Sequence, residues 1–93
     1  MSVAGYIDKM EYDLETSLSQ IAGVADVKVM ITLDLEELEV IDDKINLKQF
    51  PKIKGVLITA KGVSNTNNKL KVLHAVQAVI DIENGNIEIL SSE

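Results

Sequence analysis

The chain has 93 residues, a formal net charge of −6 and no cysteine, which favours one small domain and excludes disulfides, zinc–thiolate sites and cysteine nucleophiles. Its nine basic residues are all lysine, and the acidic balance argues against a nucleic-acid partner, whose phosphates need clustered Lys and Arg. Only two tyrosines and one phenylalanine are present, so the core must be aliphatic.

The first predicted element is an amphipathic helix. Apolar residues recur at spacings of three and four, which places them on one helical stripe, and Gly23 is a natural stop because glycine tolerates the left-handed cap conformation. The stripe comprises Val3, Ile7, Met10, Leu14, Leu18 and Ile21.

The hydrophobic period then changes to two, which predicts a half-buried strand. The apolar positions run from Val27 to Leu35 in steps of two, and they alternate with Lys28, Met30, Thr32 and Asp34. This change of period marks the boundary between the first helix and the first strand.

Residues 36–52 are predicted to form an excursion between two main strands. Residues 36–41 fit either a short strand or a helical turn, and Asp42, Asp43 and Lys44 are typical of a turn. Pro51 is incompatible with a central strand because it has no N–H to donate.

The second half of the chain predicts a strand, a helix and a strand. Residues 55–60 form an apolar run with β-branched residues, and Ser64 or Asn65 is suited to cap a helix from about Thr66 to Asp81. Residues 83–86 predict a turn, followed by a short strand at 86–90. The predicted stripe of the helix is Leu70, Leu73, Val76, Val79 and Ile80.

The predicted fold class is α+β, a single domain over residues 1–93. Its element order is α-β-β-α-β, with a three-stranded sheet and both helices on one face of the resulting two-layer sandwich. The second and third strands are joined by the second helix, so they should be parallel with a right-handed crossover. The predicted core is Val29, Ile31, Val56, Ile58, Leu73, Val76 and Ile89.

Four stretches resemble the stage III sporulation protein AG family. They are SQIAGVADVKVMITLDLEE at 19–37, PKIKGVLITAKGVSN at 51–65, LKVLHAVQAVIDI at 70–82 and NIEIL at 86–90. Their order and spacing, more than any one of them, carry the resemblance. It implies a ring-building motif, a fold that ring proteins of secretion systems also use.

The resemblance also implies the function and its location. Family members are expected to assemble channel-like rings that link mother cell and forespore, in the space between the two membranes around the forespore. The expected partners are further copies of the chain and other sporulation channel proteins. Family members carry an N-terminal membrane helix, and this sequence has no apolar run of about 20 residues. Membrane contact is therefore expected only through an anchor outside this sequence.

No pattern for catalysis, a cofactor or a small-molecule substrate is found. His74 is the only histidine, and spacing suggests no partners for a triad or metal site. The acidic cluster at 36–43 lacks the EF-hand pattern, and residues 62–65 lack the glycines and the Lys-Ser or Lys-Thr pair of a phosphate loop. The element order also fits KH-type RNA binders, but the Gly-x-x-Gly loop is absent and the charge has the wrong sign.

Two function classes follow, a structural oligomerisation module and, as the alternative, a non-catalytic binding module for a peptide, lipid headgroup or ion. For the first, the candidate interface lies on the outer sheet face and on the polar face of the second helix. The outer face is open to either water or a neighbouring subunit. The candidate interface residues are Lys28, Met30, Thr32, Lys69, Lys71, His74 and Gln77.

Overall fold

A computed structural model describes residues 3–33, 40–41, 44–45 and 53–92. The main elements follow the predicted order of helix, strand, strand, helix and strand. They are α1 (Val3–Leu18), β1 (Ala25–Leu33), β2 (Val40–Ile41), β3 (Lys44–Ile45), β4 (Ile53–Lys61), α2 (Thr66–Val79) and β5 (Ile87–Ser91), with a 3-10 turn at Asn84–Asn86 before β5.

The main sheet has three strands in the order β1-β4-β5. β1 pairs antiparallel with β4, with Met30 opposite Leu57, and β4 pairs parallel with β5, with Ile58 opposite Ile89. The predicted parallel pairing across α2 is therefore confirmed. The sheet is mixed, and β1 and β5 are its edges within the described residues.

Part of the excursion forms a second, very small sheet. Val40 pairs with Ile45 and Ile41 with Lys44, antiparallel, which supports the strand alternative at the end of residues 36–41. Lys44 belongs to a strand and not to the turn in which it was predicted, because its backbone pairs with that of Ile41. The rest of the predicted excursion, including Asp42, Asp43 and Pro51, lies outside the described residues, as do Asp34 and Leu35.

The core lies between one face of the main sheet and the two helices. Alternate strand residues point into it, as period-two patterning requires. Leu14 and Leu18 of α1 and Val72 and Val76 of α2 cover these residues from the same side, which confirms the predicted two-layer arrangement. The buried strand residues are Val27, Val29, Ile31, Val56, Ile58, Ala60, Ile87 and Ile89.

The buried stripe of α2 differs from the prediction. Val72, Val76 and Ile80, spaced by four, are buried, whereas Leu70 and Val79 of the predicted stripe are 45% and 71% exposed. Leu73, assigned to the core, packs against its margin and is half-buried. Apolar residues occupy more than one side of this helix, so the sequence allows more than one apolar stripe. Contact with the sheet determines which stripe is buried.

The ends of the helices are set by loop chemistry. α1 ends at Leu18, before Ile21 of its predicted stripe, and the chain continues in turns to Gly23, which is left-handed at φ +86°. Before α2, the Asn65 side chain accepts from the N–H groups of Asn67 (2.9 Å) and Asn68 (3.2 Å). Asn65 is therefore the N-cap, chosen from the two predicted candidates.

Candidate assembly surfaces

The face of the sheet opposite the helices, here called the outer sheet face, has an apolar centre. Lys28, Met30 and Thr32 are all exposed on it, as the alternation predicts, and Met30 is 61% exposed. The register sets Met30 opposite Leu57 of β4, and Leu90 of β5, opposite Thr59, is 45% exposed. The outer sheet face comprises Lys28, Met30, Thr32, Leu57, Thr59, Glu88 and Leu90.

The candidate residues of α2 lie in the helical layer. Lys69, Lys71 and His74 are exposed, while Gln77 is half-buried and its side-chain amide donates to Oδ1 of Asn84. Helical periodicity places Lys71 and His74 opposite the buried Val76. Gln77 thus joins α2 to the turn before β5. Of the four candidates on α2, it is the least available for contact with another subunit.

Lys71 and His74 lie on the side of the molecule opposite the outer sheet face, whereas helical periodicity places the exposed Lys69 in line with Val76. The core separates the outer sheet face from the exposed side of α2, because the helices cover the other face of the sheet. A head-to-tail contact between identical subunits requires two different patches on each subunit. The outer sheet face and the exposed side of α2 are two separate surfaces of the molecule.

A groove between the two helices was not predicted from the sequence. It has a volume of ≈ 520 Å³ and runs between α1 and α2. Its sequence signal was the pair Tyr6 and Val79, an aromatic and an aliphatic residue that a fully closed helix pair would have buried. The lining residues are Tyr6, Lys9, Met10, Asp13, Leu14, Ser17, Ala75, Val79 and Ile80.

The candidate chemical sites considered from the sequence are His74, the acidic cluster at 36–43 and the loop before α2. His74 is exposed on α2, and within the described residues no three His, Cys, Asp or Glu side chains lie together as metal ligands would. The loop before α2 serves as a cap, because Asn65 binds two of the helix's first N–H groups and Asn68 Nδ2 donates to the carbonyl of Gly62 (3.0 Å). The acidic cluster at 36–43 lies largely outside the described residues.

The helices described in the structure include none that combines the length and apolar character needed to span a membrane.

The family model of the SpoIIIAG C-terminal domain matches residues 6–50 and 42–93 of this chain. The chain belongs to the SpoIIIAG family. The two matched segments overlap at 42–50, within the predicted excursion, and together they include four of the five main elements in full and α1 from residue 6 onward. Membership in the SpoIIIAG family makes the chain a component of the sporulation machinery.

A solved structure, named SpoIIIAG, has the same fold. It superposes with a TM-score of 0.75 and 19% sequence identity, and the match covers 99% of this chain and 96% of the other. At this identity the likeness establishes the fold alone. A comparison with curated proteins finds no match. Family membership thus rests on the sequence match, and the α+β fold rests on the structure.

Proposed function

We propose that this chain is a structural subunit that packs head-to-tail with copies of itself into a ring, as part of a sporulation channel. The ring would lie between the two membranes around the forespore and link mother cell and forespore, together with other channel proteins. The proposed role needs no catalysis, cofactor or small-molecule substrate. The single observation that carries it, beside family membership, is the presence of two candidate patches on opposite sides of one rigid sandwich.

In the proposed contact, the outer sheet face of one subunit meets the exposed side of α2 of the next. Met30, Leu57 and Leu90 would supply the apolar centre of the contact, and charged residues would surround it. Lys69 and Lys71 are exposed cations on α2, and Glu88 is an exposed carboxylate on the outer sheet face. Complementary charges at such a rim set orientation and register more than affinity.

The contact should be weak for an untethered chain. A domain of this size offers about 500–800 Å² to each neighbour, which is the range of weak or transient interfaces. Confinement on a membrane raises the effective concentration of subunits and converts weak contacts into stable assemblies. The proposal therefore requires an anchor for assembly, and the decisive variable in an experiment is surface density.

The test attaches the 93-residue chain by an N-terminal histidine tag to vesicles that contain nickel-chelating lipid. We expect negative-stain microscopy to show rings at high surface density and none for the same chain in solution. Replacing Lys69 and Lys71 by Glu should abolish the rings and leave the melting temperature of the monomer unchanged. Met30→Glu changes the apolar centre of the outer sheet face, which is the other patch. It should also abolish the rings and leave the melting temperature of the monomer unchanged.

Lys9→Glu is the matched control for charge reversal on a helix, because Lys9 is an exposed lysine of α1 outside both patches. It should preserve the rings. If the tethered wild-type chain stays dispersed at every surface density, the ring proposal fails. The binding-module alternative then gains support from the groove between α1 and α2, whose size and apolar lining residues fit an apolar peptide segment better than an ion.

A further inference from the structure

Two carboxylates of α1 bind the backbone of β1 along the edge of the main sheet. The N–H of Val29 donates to Oε2 of Glu15 (3.0 Å), and the N–H of Ile31 donates to Oε2 of Glu11 (2.9 Å). Among the strands that the structure describes, β1 is an edge strand, and its partner β4 lies on its other side. These two N–H groups are therefore the ones that a further strand would use.

The geometry of helix and strand makes the match possible. Residues four apart on a helix are separated by about 6 Å along its axis, and residues two apart on a strand by about 6.7 Å. The chain reverses direction between α1 and β1, so Glu15, nearer the end of the helix, binds Val29, and Glu11 binds Ile31. Two carboxylates on adjacent helical turns thus reach two successive outward N–H groups.

Burial of the neighbouring residues of α1 fixes the positions of Glu11 and Glu15 beside β1. Leu14 and Leu18 are buried in the core at 5% and 1% exposure, and helical periodicity places Glu11 and Glu15 beside them on one flank. The other flank carries Tyr6, Met10 and Asp13, which line the groove toward α2. Both glutamates are half-buried. Apolar or neutral residues could also occupy these positions.

We propose that Glu11 and Glu15 form an edge guard, which prevents β1 from pairing with β1 of a second copy of this chain. An open strand edge is a template for sheet extension and aggregation. A second strand would have to displace both carboxylates and leave them without these donors beside the sheet. The guard restricts self-association to the faces of the molecule. This inference does not rest on the ring proposal.

The test compares Glu11→Ala/Glu15→Ala with the wild-type chain by sedimentation and by amide hydrogen exchange in NMR. In the dilute double variant we expect exchange at Val29 and Ile31 to be at least about tenfold faster than in wild type. At high concentration the variant should sediment as a dimer or larger, and protection at these two amides should return as β1 pairs with β1. Wild-type protection should be independent of concentration.

Two matched variants separate hydrogen bonding from charge. Asp8→Ala/Asp13→Ala also removes two negative charges from α1, but from exposed positions. This variant should stay monomeric. Glu11→Gln/Glu15→Gln keeps an acceptor oxygen at each position and should also stay monomeric with protected amides. Association of either variant to the same extent as Glu11→Ala/Glu15→Ala would overturn the hydrogen-bonded guard, because it would assign the effect to charge.

The proposal is also overturned if Glu11→Ala/Glu15→Ala loses protection at Val29 and Ile31 but stays monomeric at every concentration. If that double variant does not fold, the single variants decide. Glu11→Ala should release only the Ile31 amide and Glu15→Ala only the Val29 amide, each with weaker concentration-dependent recovery. Equal exchange at both amides in both single variants, without recovery, would exclude the guard.

Discussion

Two glycines allow the loop before β1 to pack closely against the loop after β4. Gly23 and Gly62 both have left-handed backbones, at φ +86° and +92°. A Cβ on Gly62 would collide with the carbonyl oxygen of Gly23, and a Cβ on Gly23 would come within 2.8 Å of Asn68 Nδ2. This close approach needs glycine for its lack of a side chain as well as for its conformational freedom.

We therefore expect Gly62→Ala to lower the free energy of unfolding by about 2–4 kcal/mol, since it combines backbone strain with a steric clash between loops. Gly85→Ala is the control, because a Cβ at Gly85 meets nothing within 4 Å and its φ is not positive. Urea denaturation of both variants checks the difference. Equal stability of the two would mean that the loops separate without cost.

Val72 and Val79 test which side of α2 is buried. Val72→Ala removes a fully buried side chain (0% exposed) and should cost about 2 kcal/mol, or about 10 °C in melting temperature for a domain of this size. Val79→Ala makes the same chemical change at a 71% exposed position and should stay within about 0.5 kcal/mol of wild type. A calorimetric melting temperature lowered more by Val79→Ala would contradict the observed orientation of α2.

At the scale of elements, β1 and β4 are joined by a ladder that contains irregularities at both ends. The register shifts between Ala25 and Lys28 and again between Thr32 and Leu33. Asp26 adopts φ +51° in the first of these and forms an ion pair with Lys61 (3.0 Å). Both side chains are more than half exposed, so the pair contributes little to stability, and the bulge is held mainly by the adjacent paired residues.

The N-terminus of α2 has a side-chain cap, formed by Asn65. Asn65→Ala should destabilise the domain by about 1 kcal/mol, because the N–H groups of Asn67 and Asn68 lose their acceptor. Ser64→Ala, at the neighbouring position, should be nearly neutral. Thermal unfolding followed by circular dichroism measures the stability of both variants. A larger loss of stability for Ser64→Ala would contradict the assignment of Asn65 as the cap.

At the scale of the whole molecule, the exposed large apolar residues among those the structure describes divide between two sides of the sandwich. Met30 and Leu90 lie on the outer sheet face, while Tyr12, Leu70 and Val79 lie in the helical layer. Scattered exposed apolar residues are normal on a monomer, and here each group is small. We expect surfaces of this kind to support only weak association.

We accordingly expect the untethered 93-residue chain to sediment as a monomer at about 10 μM, with association only at much higher concentration. Analytical ultracentrifugation over a concentration series measures this directly. A stable oligomer at about 10 μM would show that the interface is larger than about 800 Å² per subunit and that assembly needs no tether.

The SpoIIIAG resemblance, the α+β class, the order of the five main elements and the alternation along β1 were all available from the sequence. The fold class, the element order and the alternation follow from local periodicity and turn chemistry, which depend on neighbours within a few residues, whereas the resemblance rests on the order and spacing of four sequence stretches. The exposure of Lys28, Met30 and Thr32 was predictable for the same reason. Apolar residues at every second position fix which strand face is buried without knowledge of the partner strands.

Tertiary structure alone decided features that depend on contacts distant in sequence. The burial of Val72 in place of Val79, the order β1-β4-β5 and the groove between the helices all arise from how separate elements pack. Glu11 and Glu15 appear in the sequence as ordinary polar residues of an amphipathic helix. Their hydrogen bonds to Ile31 and Val29 exist only because the chain folds α1 back along the edge of β1, over separations of 20 and 14 residues, which no local pattern encodes.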